Sequence, residues 1–111
     1  MTTPMRRFGQ VIHVKPEKLD YYKELHANPW PCVLEMIQAC NIRNYSIFLL
    51  NDHTLFAYYE YIGSDYTTDM QRMAADPCIQ SWWKETDPCQ ESIAHNTSEW
   101  WLTLPEIFHC E

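Results

Sequence analysis

Glycine is scarce in this chain: Gly9 and Gly63 are the only two among 111 residues. A phosphate-binding loop and a dinucleotide fingerprint each need several glycines at fixed spacing, because the backbone must approach the phosphates closely. Both are excluded. Basic residues are also few, eight Lys and Arg against fifteen Asp and Glu, for a formal net charge of -7. With no basic patch or stripe, nucleic acid and anionic membrane are poor partners, and a phosphorylated ligand would be repelled. No apolar run approaches the length of a membrane span. No G-x-S-x-G elbow, H-E-x-x-H pair or C-x-x-C pair occurs, so the common hydrolase and zinc signatures are missing. The N-terminus shows no apolar segment of the kind that directs export. The expectations are a cytoplasmic protein, five reduced cysteines (Cys32, Cys40, Cys78, Cys89, Cys110) and no metal. A zinc site from Cys78, Cys89 and His95 lacks paired ligand spacing. A Cys32 nucleophile served by His26 would have to act across a helix break.

What the chain has in quantity is aromatic side chains, 14% of the residues, with seven Tyr and five Trp. Such residues build cores, interfaces and ligand pockets. Tyr22 and His26 are four residues apart, so a helix places them one turn from each other on one face. Pro31 cannot continue that helix. Asn28 can cap a new one, with Pro29 at its first position. The stretch Tyr22–Pro31 therefore reads as a corner between two helices, carrying a phenol, an imidazole and the indole of Trp30. This suits a small-ligand pocket; a helix with a buried Tyr and a half-exposed His is the plainer alternative.

The remaining elements follow from periodicity. Phe8–Val14 alternates as a strand. Helices are expected over about 17–27 and 29–40, the second with Val33, Ile37 and Cys40 on its apolar stripe. Ile42–Leu50 and His53–Ile62 form a hairpin turning at Asn51-Asp52. Ser64 can cap a helix bearing Tyr66, Met70 and Met73, which Asp76-Pro77 ends. A shorter helix, about 77–86, carries Ile79, Trp82 and Trp83. Residues 87–98 lack a period and read as loop, and Trp100–Phe108 as the last strand, with Pro105 at an edge or bulge. Two β-α-β halves around a central hairpin make the split βαβ, or ferredoxin-like, plan in a single α+β domain spanning residues 1–111. Its four-stranded antiparallel sheet carries helices on one face. Strands two and three are apolar on both faces and no element is left to cover the second face. A second copy of the sheet is the simplest cover, which predicts a homodimer.

The side chains left for chemistry are His26 with Tyr22, Tyr45 on the second strand, and the adjacent pair Trp82 and Trp83. Adjacent helical residues point about 100° apart. One indole can therefore enter the core while the other lines a rim. Indole faces stack on apolar C–H surfaces and the indole N–H donates, which suits a neutral sugar. Core packing is the competing reading for Tyr45 and both Trp. A non-catalytic sugar-binding or dimeric interaction module remains an alternative. So does a cofactor-free oxygenase on the same fold, since fold does not choose function.

The residues Tyr22-x-x-x-His26-x-x-x-Trp30-Pro31, Asn44-Tyr45-Ser46-Ile47, Asp76-Pro77 running into Trp82-Trp83-Lys84-x-Thr86-Asp87, and Glu106-Ile107-Phe108-His109 together resemble the L-rhamnose mutarotase family. The likeness runs from about Phe8 to His109. It implies a dimeric α/β barrel of ferredoxin-like protomers that interconverts α and β anomers of a 6-deoxy sugar without cofactor. By this resemblance His26 is the proton donor, and Tyr22, Tyr45, Trp82 and Trp83 contact the sugar. Asp87-Pro88-Cys89-Gln90-Glu91-Ser92 is similar to eukaryotic members, and Cys32 stands where an acidic residue is expected.

Overall fold

A computed structural model describes residues 4–93 and 99–111. The expected polar loop falls partly on residues 94–98, and the zinc candidate His95 lies outside the described residues. The elements are β1 (Arg6–Val14), α1 (Leu19–Ala27), α2 (Pro31–Ala39), β2 (Ile42–Leu50), β3 (Thr54–Tyr61), α3 (Tyr66–Ala75), α4 (Pro77–Thr86), β4 (Gln90–Glu91) and β5 (Leu102–Leu104). Short 3-10 turns at Pro16–Lys18 and Asp87–Cys89 precede α1 and β4.

The sheet is antiparallel in the order β2-β3-β1-β4, with β5 also paired to β1. This is the ferredoxin-like arrangement expected from the element order. The final strand differs from expectation. Of the expected strand Trp100–Phe108, only Leu102–Leu104 pairs with β1, and a two-residue strand, Gln90–Glu91, lies within the segment read as loop. Pro105 has no N–H to donate, so the ladder stops there.

The helix ends are set by residues one or two places from the expected caps. Proline pushes the residue before it toward extended dihedrals. Asn28 before Pro29 is accordingly non-helical, and Trp30 before Pro31 is extended, so α2 starts at Pro31 rather than Pro29. The cap of α3 is Asp65, not Ser64: its carboxylate accepts from the Thr68 N–H at 3.1 Å and the Thr68 hydroxyl at 2.8 Å. An ionised acceptor makes the stronger cap at a helix N-terminus. Asp76 serves α4 in the same way, accepting from Ile79 N–H at 3.0 Å.

Helices and strands meet on one sheet face. Ile12, Val14, Leu19, Tyr22, Leu55 and Cys89 form one buried cluster, and Val33, Ile79 and Trp82 form another. A third joins Ile42, Tyr59 and Tyr61. Strict alternation along β2 would put Ile42 and Tyr45 on opposite faces. A bulge prevents this: the pairing slips between Arg43 and Ser46, and Asn44 takes a positive φ of 53°. Asn tolerates that conformation better than most side chains. The bulge turns Tyr45 onto the helix side, where its ring lies 5.4 Å from that of Tyr59.

Buried Asp69 anchors the α3 end of the sheet. It accepts from the Tyr61 hydroxyl at 2.5 Å and the Asn41 amide at 2.9 Å, and pairs with Arg72 at 3.3 Å. These partners hold its carboxyl below the usual range. Gly63 is required beside this group. A Cβ there would stand 2.6 Å from the Tyr61 ring and 2.8 Å from the Asp69 carboxylate.

The cysteines do not all stay reduced. Cys32 and Cys78 form a disulfide, and Cys40, Cys89 and Cys110 are free. Cys32 and Cys78 each follow the proline that opens a helix, and α2 packs on α4. Packing thus brings together two thiols 46 residues apart, a proximity that spacing does not reveal.

Candidate functional site

A cleft of about 1040 Å³ opens between the helices and the helix-side face of the sheet. It is lined mainly by apolar and aromatic groups, with a few convergent polar ones, the usual character of a small-molecule site. All five residues singled out from the sequence line it: Tyr22, His26, Tyr45, Trp82 and Trp83.

Helix α1 delivers the first two. Their rings stack with centroids 4.3 Å apart. His26 Nδ1 lies 2.8 Å from the backbone carbonyl of Tyr22. A carbonyl only accepts, so Nδ1 carries the hydrogen, and Nε2 of the neutral ring is left as the acceptor. Partial burial lowers the His26 pKa, more than the carbonyl contact raises it. The imidazole is therefore mostly neutral at pH 7, a base before it is an acid.

Helix α4 delivers the indoles, and they divide as the 100° rotation requires. Trp82 is 7% exposed and presents its ring to His26 at 5.3 Å and to Trp30 at 5.1 Å, both edge to face. Trp83 is 39% exposed. Trp82 thus belongs to both core and cleft, whereas Trp83 is free to serve the rim. On the sheet side, desolvation pushes Tyr45 up to about 12, although the residue as a whole is 41% exposed. Burial likewise raises the pKa of Tyr22, and Tyr45 adds to that effect. Both phenols stay protonated at neutral pH and act as hydrogen-bond groups.

Sequence reasoning missed one corner. Gln90, buried on β4, donates from Nε2 to the Tyr22 hydroxyl at 3.1 Å, and its Oε1 accepts from Trp100 Nε1 at 2.7 Å. Asp87, Trp100 and Trp101 also line the cleft. The only available signal was the position of Gln90 just after the helix that carries the Trp pair. A polar stretch without a period gives no other hint.

Among the described residues no group of three or more His, Cys, Asp or Glu is placed to hold a metal ion. The zinc candidate Cys78 is in the disulfide, Cys89 is buried, and His95 is outside the described residues. Disulfide bonding also removes Cys32 as a nucleophile. No described helix is long and apolar enough to cross a membrane.

Fold and cleft define a ferredoxin-like protein with an aromatic-walled, histidine-bearing pocket for a small polar molecule. Residues 7–110 match the family model described as L-rhamnose mutarotase. Two relatives bearing that name are similar over most of their length. The protein of Bacillus subtilis (strain 168) is 30% identical over 109 residues, covering 96% of this chain and all of the relative. That of Shouchella clausii (strain KSM-K16) is 35% identical over 102 residues, covering 86% and 95%. A crystal structure of an L-rhamnose mutarotase from Formosa agariphila superposes with a TM-score of 0.73 at 22% identity, covering 96% of this chain and 99% of the other, and supports the fold. The chain belongs to the L-rhamnose mutarotase family.

Proposed function

We propose that this protein is an isomerase that interconverts the α and β anomers of L-rhamnose or a closely related neutral deoxy sugar, without a cofactor. The observation that carries the chemistry is His26: a neutral imidazole whose Nδ1–H is spent on the Tyr22 carbonyl, leaving Nε2 as a base in an aromatic cleft. Nε2 takes the proton of the anomeric hydroxyl. The lone pair left on that oxygen forms the C1=O bond as the C1–ring-oxygen bond breaks, and the ring oxygen keeps the bonding pair. The imidazolium then gives its proton to the ring oxygen, completing the open aldehyde. Both oxygens are borne by C1, so one ring nitrogen can serve both. Rotation about C1–C2 and the reverse sequence close the other anomer. Tyr22 and Tyr45 donate hydrogen bonds to sugar oxygens, while Trp82 and Trp83 supply apolar walls for the C–H face. An acidic molecule of net charge -7 also favours a neutral substrate over a phosphorylated one.

The working unit is a homodimer of single-domain chains. The sheet face away from the helices exposes Phe48, Leu50, Phe56 and Leu104. Beyond β5 the C-terminal arm, tied to β1 by the Arg7–Glu106 pair at 3.0 Å, leaves Ile107 95% and Phe108 80% exposed. Apolar surface of this extent supports an association face, and a second copy of the same sheet is its simplest cover. The deciding experiment is exchange NMR on the anomeric protons of L-rhamnose, L-fucose and a panel of other aldoses. Enhanced exchange on L-rhamnose is expected; no enhancement on any aldose would refute the assignment.

A further inference from the structure

The polar group at the base of the cleft is a chain with one direction. Trp100 Nε1–H can only donate. It stands 2.7 Å from Gln90, so the carbonyl end of the Gln90 amide faces it. The amide nitrogen must then face Tyr22, and does so at 3.1 Å. The Tyr22 oxygen is therefore an acceptor toward Gln90, and its own proton has to be directed elsewhere. Among the described residues nothing accepts that proton. Tyr22 is buried yet lines the cleft, so an oxygen of a bound molecule is the natural recipient.

We infer that Gln90, held by Trp100, is a positioning residue that forces the Tyr22 hydroxyl to donate into the cleft, onto the sugar ring oxygen as it takes up the C1–O bonding pair. This rests on the anomer-exchange reading of the site. The donor matters most in the transition state, because the ring oxygen gains negative charge there and a hydrogen bond to a charged acceptor is the stronger kind. A phenol that already accepts one hydrogen bond is also polarised toward donating another. Without Gln90 the phenol proton could turn to other acceptors, and part of the population would present a lone pair to the ring oxygen.

Substitution Gln90→Glu tests the direction of the chain while preserving its shape. The carboxylate still accepts from Trp100 but now also accepts from Tyr22, so the phenol proton is withdrawn from the cleft. Hydrogen bonds from Trp100 and Tyr22 favour the ionised carboxylate at this site, while burial opposes its charge. Lowering the pH protonates the carboxylate, and its O–H can again donate to Tyr22. At pH 7 exchange NMR should show kcat reduced about 10- to 100-fold, the range for a hydrogen bond to a charged group, with a smaller change in KM. The ratio of variant to unmutated kcat should recover as the pH falls, although the unmutated enzyme itself slows. Combined with Tyr22→Phe, the substitution should add little. If Tyr22→Phe slows exchange but Gln90→Glu leaves kcat intact, this inference is overturned and the site reading survives. If Tyr22→Phe leaves exchange unchanged, the assigned role of Tyr22 and the inference fall together. Should Gln90→Glu not fold, Trp100→Phe at the exposed end of the chain decides. A loss of kcat that vanishes in the Tyr22→Phe background supports the chain, and an unchanged kcat refutes it.

Discussion

Adjacent indoles on one helix should separate stability from binding. Trp82 is 7% exposed and packs with Val33 and Ile79, flanked by Leu25, Trp30 and Met73. Truncating a buried Trp to Ala removes both its transfer free energy and its contacts, typically about 3–5 kcal/mol. A domain of this size is stable by roughly 5–15 kcal/mol, so Trp82→Ala should lose a large part of its stability and sit near its unfolding transition at 37 °C. Trp83 is 39% exposed and belongs to none of the buried clusters. Trp83→Ala should therefore cost less than about 1 kcal/mol of stability. If its indole face covers the apolar side of the sugar, the same change should weaken binding by about 1–3 kcal/mol, a rise in Kd of roughly 5- to 150-fold. Urea unfolding followed by far-ultraviolet circular dichroism measures the first quantity, and NMR titration with L-rhamnose the second. Trp82→Phe serves as control, since a smaller aromatic can keep an edge toward His26 and most of the buried area. The division of labour is refuted if Trp83→Ala binds sugar normally, or if it destabilises the fold as much as Trp82→Ala.

His26→Ala should slow anomer exchange by about 10²–10⁴-fold with fold intact, and near-normal exchange would require another proton carrier, His13 being the next to test. With neutral His26 as the proposed base, the rate should fall as the pH drops through a midpoint below 6.5, the sense set by burial; a rate that instead rises on acidification contradicts the base-first order. Light scattering at micromolar concentration should give twice the chain mass, and Phe48→Glu on the exposed sheet face should shift it to monomer; a monomeric unmutated protein refutes the dimer. Thiol titration under denaturing conditions should find three thiols before reduction and five after, and reduction should lower the unfolding free energy by about 2–4 kcal/mol for a loop of this length; five thiols without reductant would refute the bridge.

How far the site could be read in the sequence depends on how local its causes are. Tyr22 and His26 were legible because helix periodicity alone brings residues four apart together, and Pro29 and Pro31 announce where the helix stops. The indoles were legible as a pair but not as individuals: only the phase of α4 says that Trp82, rather than Trp83, turns inward. Tyr45 reached the helix face through a bulge at Asn44 that alternation cannot express, since one extra residue reverses the facing of everything before it. The strand order followed from element order, whereas Leu102–Leu104 shrank to three residues because pairing ends at Pro105, a tertiary event.

Gln90 and the Cys32–Cys78 bridge mark the other limit. Each depends on groups far apart in the chain, Tyr22 with Gln90 across 68 residues and the two thiols across 46. No local pattern encodes either contact; α1 packed near β4, and α2 packed on α4, create them. The two contacts brace the cleft from different sides. The disulfide joins the first turns of the helices that carry Val33 and Trp82, and the amide chain fixes the phenol stacked on His26. The proton shuttle proposed for His26 would tolerate little displacement, because misplacing a reacting group by about 1 Å can cost around a hundredfold in rate. The residues least visible in the sequence are thus those that hold the visible ones in place.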